Sequence, residues 1–293
     1  MIYTLTFSPS IDYYINVPMF KEGLINRSNS DEFVIGGKGI NVTKVLKELG
    51  MKSIAIGFIG DFTGDYLKSI LDQEQVNYQL IKAKGHTRIN VKIISNNETA
   101  INSNSLIITN NEMNELYKII ESLNSDDYLV ISGSVPNDIN FDELYNHLDK
   151  NVKVILDVDY NIRKTLCHKP FMIKPNRDEL GRMFNTKIES VEEAISCAKI
   201  LKKEGAINVI VSLDKEGALL IDKNNKIYYN KGKEIKVKST VGAGDSLVAG
   251  FLYNYVNSNN IEESFKYGII CSQAACLTNA LPTKLLIEEV KEK

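Results

Sequence analysis

The stretch Ser239–Phe251, STVGAGDSLVAGF, governs the reading of the whole chain. Gly242, Ala243 and Gly244 stand just before apolar residues at helical spacing, Val248, Phe251, Leu252 and Tyr255. Small residues at a helix start leave backbone N–H groups facing outward. Those unpaired amides and the helix dipole together favour an anion. Asp245 follows in the first turn and reads in two ways. It can cap the helix by accepting from free amides. Beside an anion hole it can instead take a proton from an alcohol while the amides stabilise a transferring phosphoryl group. Capping explains the acid but not the tandem of small residues ahead of it.

Outward from this segment the chain alternates. Short β-rich runs occur at Tyr3–Phe7, Ser53–Ile59, Tyr128–Ser132, Val152–Asp157, Phe171–Ile173 and Asn208–Leu213. Helical patterns lie between most of them. Val42, Val45, Leu46 and Leu49 keep one face before Gly50 ends the helix, and Leu67, Ile70, Leu71 and Met113, Leu116, Ile120, Leu123 repeat the signal. This alternation predicts an α/β fold with a mostly parallel sheet covered on both faces. Tyr13–Val17 with Asp31–Ile35, and Asn90–Ile94 with Glu98–Ile101, look like strands without intervening helices. They are expected to form a small β-flap, ordinary edge hairpins being the alternative.

At 293 residues with 43% hydrophobic and 25% charged residues, the chain has globular composition and can bury a sizeable core. A net charge of -2 disfavours a strongly basic nucleic-acid binder. No apolar run is long enough to span a bilayer, and MIYTLTFS lacks the features of a secretory signal. Four cysteines, Cys167, Cys197, Cys271 and Cys276, are sparse and fit a reduced, cytoplasmic protein. Cys271 and Cys276 read as small core residues. Three scattered histidines suggest no zinc site, and Cys167 beside His168 is a neighbour pair, not a ligand pattern. Ser134 lies outside a Gly-x-Ser-x-Gly elbow, and Gly57–Gly64 lacks dinucleotide spacing.

A second glycine-rich turn is Gly36–Gly50, GGKGINVTKVLKELG. Gly36, Gly37 and Gly39 end a strand-like run and open a helix, with Lys38 inside the turn and Asn41 over the helix start. Close backbone approach plus a cation suggests a polar ligand, with or without a phosphate, a tight turn with a solvated lysine being the plainer reading. The spacing is neither a Walker A loop nor Gly-x-Gly-x-x-Gly.

Together the two segments resemble the signature motifs of the ribokinase-like, or PfkB, carbohydrate kinase family. TFSPSIDYY (Thr6–Tyr14), TRINVKI (Thr87–Ile93), SGSVP (Ser132–Pro136), IKPNRDEL (Ile173–Leu180) and VSLDKEGALL (Val211–Leu220) follow in the family's order, across nearly the whole chain. The segments GFIGDFTGDYL (Gly57–Leu67) and TRINVKI are most similar to the 1-phosphofructokinase branch, with tagatose-6-phosphate kinases as near relatives. The resemblance implies a single three-layer α/β/α domain over residues 1–293, with a lid from insertions at about 12–35 and 88–103. It implies phosphoryl transfer from ATP, with Mg²⁺, to D-fructose 1-phosphate, giving D-fructose 1,6-bisphosphate.

The same resemblance distributes roles. Asp245 would be the base, and Gly242, Ala243 and Gly244 the anion hole. Asp12, Gly37, Asn41 and Ser134 would hold the sugar, and Lys38, Arg88 and Arg27 its phosphate. Lys174, Thr240 and the turn Ser212, Leu213, Asp214, Lys215, Glu216 and Gly217 would face ATP, and Asn176 and Glu179 would help place magnesium through water. Dimers formed flap to flap occur in the family, and the partly apolar flap strands permit a homodimer. Four departures stand out: Ser8 for Asn, Asp214 for Gly, Asn102–Ser105 for a Gly-Pro-Gly-like run, and Leu156–Asn161 for a Ser/Gly-ending strand. Asp214 adds negative charge near a polyphosphate site. A sugar-phosphate sensor without catalysis is the alternative that Ser8 and Asp214 raise.

Overall fold

Apolar residues alternating along short strands must bury both faces, and this chain does so in three layers. The computed structural model describes residues 1–104, 106–159, 162–233 and 235–292. Ser105 of the Asn102–Ser105 stretch, and Tyr160 and Asn161 of Leu156–Asn161, lie outside the described residues. In chain order, β1 (Ile2–Thr6) leads to β2 (Ser10–Asn16), β3 (Ser30–Gly36) and α1 (Lys38–Glu48). Next come β4 (Ser53–Ile59), α2 (Asp61–Gln73), β5 (Tyr78–Lys82), β6 (Arg88–Ile94), β7 (Glu98–Ile101) and α3 (Asn110–Glu121). The middle of the chain forms β8 (Tyr128–Ser134), α4 (Phe141–Asn146), β9 (Lys153–Asp159), β10 (Met172–Ile173), α5 (Arg177–Phe184) and α6 (Val191–Glu204). The last part forms β11 (Val209–Ser212), β12 (Ala218–Ile221), β13 (Ile227–Asn230), α7 (Ala243–Ser258), α8 (Ile261–Cys276) and α9 (Lys284–Glu292).

The main sheet has the order β13-β12-β11-β10-β9-β8-β1-β4-β5. It is parallel from β5 to β11 and antiparallel for β12 and β13 at one edge. Leu129 and Ile131 of β8 face a core shared with Leu116, Leu144, Leu180 and Leu201 of α3 to α6. Tyr128 and Val130, one residue out of phase, face Val42, Val248, Phe265 and Ile287 of α1, α7, α8 and α9. The predicted strands are present. The sequence reading left out β5, β12 and β13: β5 and β13 are half-exposed with weak alternation, and β12 is a short, fully buried apolar run whose periodicity does not separate strand from helix.

The flap is a separate four-stranded sheet of order β3-β2-β6-β7. Its strands come from the two predicted stretches, β2 pairing parallel with β6 across an intervening βαβ segment. Ile11 and Ile35 at its base are buried against Ile40, Ile59 and Leu67, which ties the flap to the body. Farther out the apolar side is open: Phe33 stacks on Tyr13 at 4.3 Å yet stays 48% exposed.

Candidate active site

Crossover topology puts the C-terminal ends of the parallel strands at one rim, where loops from opposite directions leave a crevice. A cleft of ≈ 1190 Å³ occupies this rim, beneath the flap. The starts of α1 and α7 close its floor, and Asn41 of α1 reaches the first turn of α7, its Nδ2 donating to Asp245 Oδ2 at 2.8 Å.

The floor is a cluster of mutually compensated charges, buried except for the half-exposed Lys38. Asp157, at the end of β9, is fully buried and accepts at Oδ1 from Lys38 Nζ at 3.0 Å. Lys174 Nζ lies 3.3 Å from the same oxygen, and Lys38 Nζ lies 3.8 Å from Glu179 Oε1. Asp157 Oδ2 is buried with no partner. Burial pushes the Asp157 carboxyl up, but Lys174 and Lys38 more than reverse this and hold it below its ordinary value. Asp245 goes the other way. Burial and the neighbouring Asp157 charge push its pKa up to about 6, against the opposing pull of Asn41, Lys38 and Lys174. Lys38 is held charged: burial lowers its pKa, and Asp157 and Glu179 outweigh that.

Asp245 is therefore not a helix cap. The N-cap of α7 is Gly242, whose φ of 75° is readily adopted without a side chain, and no side chain caps this end. Of the three amides expected in the anion hole, the Ala243 N–H instead donates to Thr240 O at 3.3 Å, closing the preceding turn. Those of Gly242 and Gly244 have no protein acceptor among the described residues. A Cβ on Gly244 would sit 3.1 Å from Lys174 Nζ, so a glycine there lets the ammonium lie over the helix start. Two free amides, a helix N-terminus and a lysine thus converge beside one raised carboxylate.

At the flap end, Asp12 lines the cleft with Ser10, Arg88 and Asn90. Ser10 Oγ and Asn90 Nδ2 both donate to Asp12 Oδ1, at 2.9 and 2.8 Å. Gly37 and Ser134 also line the cleft. At the opposite end, Ser212, Asp214, Lys215, Gly217 and Thr240 do so. Asp214 has φ 51°, the left-handed conformation that explains a glycine preference at this turn.

Some expected residues do other work. Arg27 sits in an exposed loop and does not line the cleft. Leu213 is buried in the core, and Glu216 pairs with Arg177. Lys38, expected at the sugar phosphate, lines the cleft with its ammonium on Asp157. Asn176 is the N-cap of α5: its Oδ1 accepts from Glu179 N at 2.7 Å, and Glu179 Oε2 accepts from Asn176 N at 2.8 Å. This capping box occupies the Asn176 carbonyl and positions Glu179. Cys271 is core as expected, but Cys276 is half-buried and lines the cleft from α8. Elsewhere the fold brings Asp142 to Cys167 and His168, with ligand atoms within 4.8 Å of one another. The His168 Nε2 and Asp142 Oδ1 contact of 2.6 Å accounts for two of that trio.

Sequence reasoning missed Asp157 and Asn90 as site residues. Asp157 was legible only as the end of a parallel strand, the position that faces a crevice. Asn90 follows Arg88 by two, so strand alternation puts both on one face.

Comparisons with known proteins identify the family. The family described as pfkB family carbohydrate kinase matches residues 5–283. The chain belongs to that family, and its fold is ribokinase-like. It is 42% identical to a 1-phosphofructokinase of Borreliella burgdorferi over 96% of this chain and 93% of the relative. It is 39% identical to a 1-phosphofructokinase of Bacillus subtilis, covering 99% and 97% of the two chains. The phosphofructokinase-2 of Escherichia coli, solved in complex with substrates and products, superposes with a TM-score of 0.90 at 27% identity, covering 99% of this chain and 98% of that one.

Proposed function

We propose that this chain transfers the γ-phosphoryl group of ATP to the 6-hydroxyl of D-fructose 1-phosphate, giving D-fructose 1,6-bisphosphate and ADP. The observation that carries the reading is Asp245, a buried carboxylate of raised pKa beside free helix-start amides, on the floor of a cleft with a flap at one end. The two 1-phosphofructokinase relatives, at 42% and 39% identity, support the choice of acceptor.

The residues divide the work. Asp12, with Gly37 and Ser134, orients the sugar so that its free alcohol meets Asp245. Asn41 holds the Asp245 carboxylate by its 2.8 Å hydrogen bond. Asp245 takes the hydroxyl proton as the new O–P bond forms and the bond from the γ-phosphorus to the β-bridging oxygen breaks, ADP leaving. The Gly242 and Gly244 amides and the Lys174 ammonium stabilise charge on the transferring group. Ser212, Asp214, Lys215, Gly217 and Thr240 form the nucleotide end. Glu179 and the unpartnered Asp157 oxygen offer hard oxygen donors, a set that fits Mg²⁺ held through water, with Asn176 fixing Glu179. Magnesium there supplies charge neutralisation for the polyphosphate. The flap closes over the sugar and excludes water, which limits ATP hydrolysis.

The flap's open apolar side, with Phe33 48% and Ile25 91% exposed, supports a homodimer through the lid. A Phe33→Asp variant that sediments like the wild type would refute that contact. Four free cysteines suit a reducing, cytoplasmic setting, and no helix among the described residues is long and apolar enough to cross a membrane. A coupled ADP assay across fructose 1-phosphate, fructose 6-phosphate and tagatose 6-phosphate tests the reaction. Fructose 1-phosphate is expected to have the highest kcat/KM. Preference for another phosphosugar would overturn the acceptor, and binding of fructose 1-phosphate without ADP release would overturn catalysis.

A further inference from the structure

We propose that Lys92 is a second phosphate-gripping cation of the flap, which closes with Arg88 on the dianion that the acceptor sugar carries. The inference rests on the reading of the acceptor as a phosphosugar, and it assigns a residue that the motifs left out.

The first support is register. Arg88, Asn90 and Lys92 alternate along β6, and they pair with Ser10, Asp12 and Tyr14 of β2. Residues two apart on a strand share a face, so Arg88 and Lys92, four apart with Asn90 between them, lie on one face with their backbones roughly 13 Å apart. That face is the cleft face: Ser10, Asp12, Arg88, Asn90 and Lys92 all line the cleft, and Asn90 donates to Asp12 across it. Arginine and lysine side chains are long enough to converge from that separation on one phosphate group between them.

The second support is charge. The floor lysines are satisfied within the protein, since Lys38 and Lys174 share Asp157. The flap cations are not. Among the described residues no carboxylate forms a salt bridge with Arg88 or Lys92, and Arg88 Nε is buried without a partner. Asp12 is the acid that acts on Arg88, but its Oδ1 is already shared by Ser10 and Asn90. Glu32 and Glu98 act on Tyr14, the cross-strand neighbour of Lys92, and neither pairs with Lys92. A phosphate dianion would accept charge-assisted hydrogen bonds from both cations, and Asn102, which follows β7 at the same wall, adds an amide. Such a grip lies away from the reacting hydroxyl. Its binding energy is therefore available to seat the sugar and hold the flap down.

The test compares wild type, Lys92→Met and Lys92→Arg, each first checked for an unchanged thermal melt. The Met variant is expected to raise the KM for fructose 1-phosphate about ten- to hundredfold, the range for losing a hydrogen bond to a charged group. The KM for ATP stays within twofold, and the Arg variant recovers most of the loss. Inorganic phosphate, titrated as an inhibitor competitive with the sugar, weakens in parallel. A phosphosugar KM that stays within twofold in the Met variant, or an ATP KM that rises equally, overturns the assignment. Should the wild type prefer another phosphosugar, the acceptor reading fails alone, and the same pair of KM values on that sugar still decides Lys92. Should no sugar be turned over, calorimetric titration of fructose 1-phosphate into wild type and Lys92→Met decides it.

Discussion

The floor of the cleft and its flap wall both carry charge, but they hold it differently. On the floor, Asp157, Lys38, Lys174 and Glu179 lie within 4 Å of a partner, and all but the half-buried Lys38 are withdrawn from water. Their positions are set before any ligand arrives, which is what electrostatic preorganisation requires. On the flap, Arg88 and Lys92 face the cleft without a carboxylate partner among the described residues. The flap's apolar base is buried while its outer apolar side is exposed. On the proposed reaction, the region whose charges are satisfied internally would perform the chemistry, and the region whose charges await a counter-ion would recognise the substrate. The nucleotide turn is intermediate, with Asp214 strained in the left-handed region at the cleft edge.

The largest effect should come from the floor. Asp245→Asn removes the proton acceptor while keeping its size, and kcat is expected to fall by about 10²–10⁴-fold, the usual contribution of a general base. The KM for ATP should hold, and steady-state kinetics of the purified variant checks both. Near-normal turnover would mean that the floor is structural and the contrast with the flap is false.

Asp157→Ala should act on stability first. It leaves two lysines facing each other in a buried site, and breaking one partner of such a cluster costs about 3–5 kcal/mol. Chemical denaturation is the measurement, and a loss below 1 kcal/mol would show that water already solvates this floor.

The pH profile tests the same cluster more gently. Asp245 must be ionised to accept a proton, and its pKa is pushed up to about 6. Activity should therefore rise with pH through that value and level off above it. Asn41 bonds to the ionised form and lowers the Asp245 pKa, so Asn41→Ala should move the acidic limb of kcat/KM to higher pH. An unmoved limb would detach Asn41 from the base.

The smallest effect belongs to the nucleotide turn. Asp214→Gly relieves a φ of 51° and should stabilise the fold by up to about 1 kcal/mol. It also removes a negative charge from the cleft edge, so the KM for ATP should fall severalfold. Thermal melts and ATP titrations check the two parts separately, and a raised KM would show that the carboxylate helps bind nucleotide.

Much of this molecule was determined locally. The alternation of Leu5, Leu129, Ile131 and Leu156 with polar turns specified a parallel sheet, because each side chain points by period to one face. Gly242 and Gly244 pointed to the proposed anion site, because small residues let the free amides of a helix start face outward. The two flap stretches were visible because they lacked helices between strands. Tertiary structure decided what lies many residues apart. Asn41 meets Asp245 across 204 residues, and Lys38 meets Asp157 across 119. No local pattern records such a meeting, since β1 and β8 must first bring the two helix starts to one rim. The same holds for the ion pairing that ties Lys38 to Asp157 and for the capping box that engaged Asn176. Sequence dictates which groups a segment can offer; which charge each group faces depends on long-range packing, because electrostatic partners are chosen by distance and burial.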